Sequence, residues 1–121
     1  MLWKAAFIGC VIALGTLAWL PAIAMTRTTL GGHAEHLIAY LGTATVMGFA
    51  TPTTRWLVAQ CLLLIGYAAI LEAGQLYAIG RQASFQDFAF SSSGVLIGAT
   101  LVWIARTCWV RARILKPTFG E

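Results

Sequence analysis

The chain has 121 residues, of which 60 % are hydrophobic and only 10 % charged, with a formal net charge of +4; its mean hydropathy is +0.81. A water-soluble domain carries about 25 % charged residues, so these side chains cannot cover a water-facing surface, and the composition points to lipid as the solvent. Because the positive charge gathers toward one tail, the expected partners are the lipid bilayer and its anionic headgroups; no nucleic-acid partner is expected.

In chain order, the first expected span covers residues 2–25. Its apolar stretch exceeds the roughly 7–15 residues of a secretory signal, and it reads as a retained anchor, with Pro21 near its far end. A polar loop with Gly31-Gly32 leads to the second span, residues 35–50, short and rich in small residues. The turn Thr51-Pro52-Thr53-Thr54-Arg55 carries a breaker, and the third span follows at 56–79. A loop over residues 80–86 leads to the fourth span at 88–108, with a basic tail at 109–121 containing Arg111, Arg113 and Lys116. The fold class expected is all-α: a polytopic bundle of about four transmembrane helices in a single domain. Cys10, Cys61 and Cys108 each sit in an apolar run and share no metal-type spacing.

Four spans put Lys4, Arg55, Arg106, Arg111, Arg113 and Lys116 on one side and Arg27 and Arg81 on the other. The positive-inside bias then predicts that both termini are cytoplasmic. Trp3, Trp19, Trp56, Trp103 and Trp109 fall toward span ends, where headgroup-level anchors belong.

The rare polar residues gather on the expected outer side. His33, Glu35 and His36 open the second span, Glu72 and Gln75 lie late in the third, and Arg81 and Asp87 flank the start of the fourth. A carboxylate at the depth of Glu72 should face the bundle interior and find a partner, with Arg81 or His36 the expected one. The candidate binding residues are therefore His36, Glu72, Gln75, Arg81 and Asp87. His33 and His36, spaced i, i+3, with Glu72 or Asp87 would make only a weak metal set, and neither a metal nor a cofactor is expected. Ser91-Ser92-Ser93 reads as packing and backbone satisfaction, and Gly94 and Gly98 form a GxxxG step that permits close helix approach.

At these positions the sequence resembles the VanZ-like family of small bacterial membrane proteins. Glu35-His36 with Ala39-Tyr40 resembles its histidine-tyrosine opening of the second span. Leu71-Glu72-Ala73-Gly74-Gln75 resembles its E-x-x-Q segment, Gly80-Arg81 followed by Asp87 its glycine-arginine loop and aspartate, and Gly94 and Gly98 its small residues beyond. The resemblance covers roughly Gly32 to Ala105. Gly32-His33, Ile79 and Ser91 stand where members often carry Asp-Lys, Pro and Asn. The resemblance implies a protein of the bacterial cytoplasmic (inner) membrane acting at the cell envelope, in a family named for a member linked to teicoplanin resistance. Two functions follow as expectations: binding of a polar or lipid-linked molecule at the outer face, or a structural accessory role in an assembly with other membrane protein chains. A membrane-embedded hydrolase or transferase using Glu72 or Asp87 as base is a third, for which the sequence supplies no clear nucleophile or metal set.

Overall fold

The computed structural model describes residues 1–24 and 29–114. Four α-helices make up the described residues: α1 (Leu2–Trp19), α2 (Gly32–Ala50), α3 (Thr54–Gly74) and α4 (Phe85–Ile114), with 3-10 turns at Ala22–Ala24 and Gln75–Tyr77. Lys116, at the end of the expected basic tail, lies outside the described residues, as does Arg27.

Local chemistry accounts for the helix ends. Leu20 precedes Pro21 and is extended (φ −65°, ψ 133°), because the proline ring disfavours the helical region for the residue before it. α1 therefore stops at Trp19 and not near residue 25. The same rule ends α2: Thr51, before Pro52, is extended at φ −99°, ψ 127°. Thr53 caps α3, its hydroxyl accepting the Trp56 N–H at 3.4 Å. Late in α3 the coil tightens into the 3-10 turn that carries Gln75, a common way for a helix to close. α4 starts at Phe85, earlier than the sequence suggests, because Ser84 caps it; the Asp87 N–H donates to Ser84 Oγ at 3.3 Å, the N-cap to N3 bond of a helix start. At the other end α4 runs on to Ile114, so Arg111 and Arg113 are helical.

Contacts between helices set their directions. His33 meets Asp87, His36 meets Ser91, and Arg106 meets Gly48 and Thr51, so α2 and α4 run parallel. The Tyr67 hydroxyl donates to the Val11 carbonyl at 2.9 Å, and Trp19 lies against Gly74, so α1 and α3 run parallel as well. Trp3 packs on Phe49 with ring centroids 4.9 Å apart, which makes α1 antiparallel to α2. The start of α1 and the end of α4 thus share one end of the bundle.

The tightest seam is α2 on α4. A Cβ at Gly98 would stand 2.6 Å from the Leu41 carbonyl oxygen, and one at Gly94 would collide with the Leu37 carbonyl. The GxxxG step therefore brings α4 directly onto the backbone of α2. Ala44, Met47 and Val95 are fully buried around it. Leu57, Cys61, Leu64, Ala68 and Leu71 of α3 complete the core, to which α1 contributes Leu14. Many large apolar side chains point outward, among them Ile8, Ile12, Leu62, Leu63, Ile70, Leu96 and Leu101. α1, α3 with its 3-10 turn, and α4 are each long and apolar enough to cross a membrane. α2 is not among those: its 19 residues include His33, Glu35, His36 and several small or hydroxyl residues.

Candidate functional site

At the end of the bundle where α2 and α4 begin, four polar elements converge. Three residues on one face of α2 follow helical spacing: His33, His36 and Tyr40. Asp87 and Ser91, one turn apart on α4, receive the two histidines. His33 Nδ1 lies 2.6 Å from Asp87 Oδ1, and His36 Nε2 lies 4.0 Å from Asp87 Oδ2. His36 Nδ1 lies 3.2 Å from Ser91 Oγ. Asp87 is thus shared by two imidazoles, and His36 is seated between Asp87 and Ser91. His33 also stacks on Phe90, with centroids 5.1 Å apart.

Glu72 comes up from α3. It is buried, and its Oε1 accepts the backbone N–H of Ser84 at 2.5 Å. In a capping box that N–H is taken by the side chain three residues into the same helix. Here the residue in that place, Asp87, has turned to the histidines, and a carboxylate from another helix takes over its amide. Glu72 thereby ties the end of α3 to the start of α4. Gln75 is buried in the 3-10 turn that follows. Arg81 reaches back across the bundle end, its Nη1 donating to the Leu17 carbonyl at 3.4 Å.

Between these groups lies a partly open cavity of about 130 Å³. Its polar lining is Glu35, His36, Tyr40, Glu72, Gln75, Arg81 and Ser91, and its apolar wall includes Leu14, Leu17, Ala18, Ala68 and Leu71. Four of the five residues singled out from sequence, His36, Glu72, Gln75 and Arg81, line this one space. The fifth, Asp87, stands behind it and holds His33 and His36. No protein-family model, curated protein or solved structure shows a significant match to the chain.

Three lining residues stand outside the five candidate binding residues: Glu35, Tyr40 and Ser91. The signal was there as spacing, since Tyr40 is four residues beyond His36 and Ser91 four beyond Asp87, the separation that puts side chains on one helix face. Among the described residues, no three of His, Cys, Asp and Glu come together in a metal-holding arrangement. All three cysteines are free and stand away from the site.

The arrangement offers a carboxylate pair, a guanidinium, an imidazole, an amide and two hydroxyls above an apolar floor. It suits a small polar group attached to an apolar body.

Proposed function

We propose that the chain is a VanZ-like integral membrane protein that binds a polar or lipid-linked molecule at the outer face of the bacterial cytoplasmic membrane. In this reading α2 is the fourth span. Its 19 residues measure about 28 Å at 1.5 Å per residue, close to the ~30 Å hydrocarbon core, and its polar face is turned onto α4 and the cavity. The six-to-two distribution of basic residues supports cytoplasmic termini, which sets the cavity at the outer leaflet.

The observation that carries the reading is that His36 of α2, Glu72 of α3, Gln75 of the 3-10 turn and Arg81 of the loop after it border one partly open cavity with an apolar wall. Ligand sites combine an apolar wall with a few convergent polar groups. Ionisable groups at membrane depth are costly and mark function by default. An amphiphile fits both halves, its headgroup among the charged side chains and its tail between the helices.

The test is Glu72→Gln. Glutamine keeps an oxygen for the Ser84 amide, so a charge-assisted hydrogen bond becomes a neutral one, a loss of about 1 kcal/mol. The protein purified in mild detergent should melt slightly earlier, and mass spectrometry should show that an amphiphile co-purifying with the wild type is lost. If Glu72 serves only as a lock between helices, the same loss of about 1 kcal/mol should come with an unchanged lipid profile, and the binding reading fails.

A further inference from the structure

α2 and α4 start together but do not end together. α2 gives way at Ala50 to the Thr51-Pro52 turn, while α4 continues to Ile114. The contacts of Arg106 with the Gly48 and Thr51 carbonyls mark the level at which α2 ends. From there one face of α4 runs on, with residues at helical spacing: Trp103, Arg106, Thr107, Val110 and Arg111. Together with Thr54 at the start of α3 they line an open groove of about 550 Å³.

Three features of this groove identify what it takes. The first is uncompensated charge. The chain has only four acidic residues; Glu35, Glu72 and Asp87 are at the opposite end, and Glu121 lies outside the described residues. No described carboxylate therefore stands near Arg106 or Arg111. One nitrogen of Arg106, Nη2, is engaged by α2 carbonyls, but a guanidinium has five N–H donors, and Arg111 is exposed on the groove. The second is depth. Trp3, Trp56, Trp103 and Trp109 are all about half exposed at this end, and tryptophans so placed mark the headgroup level of a bilayer. The third is the mixture of walls: two guanidiniums and the Thr54 hydroxyl suit phosphate oxygens, while Trp103 and Val110 offer apolar surface where acyl chains begin.

We propose that this groove binds the phosphodiester headgroup of an anionic phospholipid. The proposal rests on the membrane-spanning reading of the chain and is independent of the cavity at the other end. Arg106 and Arg111 hold the phosphate by charge-assisted hydrogen bonds, and the bound lipid supplies the counter-charge that the described residues lack there.

The test is native mass spectrometry of the full chain in mild detergent, titrated with phosphatidylglycerol or phosphatidylcholine. Wild type, R111Q and R113Q are compared. Arg113 lies off the groove, stacked 3.7 Å over Trp109, so R113Q removes the same charge at nearly the same level. Loss of one diffuse surface charge costs about fivefold in affinity, and R113Q should lose no more than that. R111Q also loses directed hydrogen bonds and should lose about tenfold or more, with an unchanged melting temperature. Phosphatidylglycerol should outcompete phosphatidylcholine, and millimolar inorganic phosphate should not displace it. Equal retention of the two lipids, equal losses in R111Q and R113Q, or displacement by free phosphate would each overturn the proposal.

Discussion

At the end of the bundle where α4 begins, carboxylates meet imidazoles and backbone amides: Asp87 with His33 and His36, Glu72 with Ser84. At the end where α4 outruns α2, a guanidinium meets only backbone carbonyls, and the neighbouring Arg111 has no described carboxylate near it. Charges of mixed sign can satisfy one another and still shape a cavity. A patch of single sign needs a counter-charge from outside, and in a membrane protein the headgroups supply it. The two ends therefore differ in how much of their electrostatics is internal, and both hang on the same α2–α4 seam.

Breaking the seam should disturb both ends at once and give the largest effect. Gly94→Val sets a branched side chain against the Leu37 carbonyl and the Leu41 amide. Overpacking against movable side chains costs about 1–3 kcal/mol; here the obstacle is helix backbone, so a loss of at least ~3 kcal/mol is expected in thermal melts in detergent. Gly42 is the control. A Cβ there meets nothing within 4 Å, so Gly42→Ala should be neutral or stabilising by up to ~1 kcal/mol. If both substitutions are tolerated equally, close backbone approach is not what joins the two ends.

Arg106→Gln addresses one end alone. It removes the charged donor from the Thr51 carbonyl and from the Gly48 carbonyl, which keeps the Thr51 N–H at 3.2 Å. Hydrogen bonds to charged groups are worth about 1.5–3 kcal/mol, and a loss in that range is expected. Hydrogen exchange should quicken around the end of α2 and remain unchanged near His33 and Asp87. Equal quickening at both ends would mean that they open as one unit.

How much of this was legible beforehand depends on which physical term each feature answers to. An all-helical chain with long apolar helices follows from composition and hydropathy. The helix limits follow from backbone chemistry, which hydropathy does not report. Pro21 forces Leu20 out of the helix five residues before apolarity runs out, and nothing in the run from Trp109 to Ile114 breaks a helix although its polarity suggests a tail. α4 starts before its apolar run: Ser84 with Asp87 three residues on signals a helix start that hydropathy does not report. Gly94 and Gly98 announce a close approach without naming α2 as the partner. In the site, His36, Glu72, Gln75 and Arg81 were legible because ionisable and amide groups are rare in such a chain. Tyr40 and Ser91 carry only the signal of helical spacing from His36 and Asp87, which does not say that the two faces meet across the seam. Glu72 was expected to answer to Arg81 or His36, and the Ser84 amide, twelve residues on, emerged only from the fold.

The smallest effect sharpens the comparison from the mixed-sign side. His33→Asn removes the 2.6 Å contact with Asp87 and the stack on Phe90. The His33 side chain is 49 % exposed and that of Asp87 20 %, so solvent already screens the pair. Partly exposed pairs of this kind contribute about 0.2–1 kcal/mol, less than the directed bonds of Arg106. Asp87 keeps His36 as a neighbour and the capping bond of its own amide to Ser84, so α4 should still begin where it does. The expected melting change is therefore below ~1 kcal/mol. The lipid profile lost in Glu72→Gln should be retained, since His33 does not line the cavity. A loss as large as that of Arg106→Gln would reverse the comparison, because the mixed-sign end would then be held together by its His33–Asp87 contact and the cavity would be a by-product of that lock.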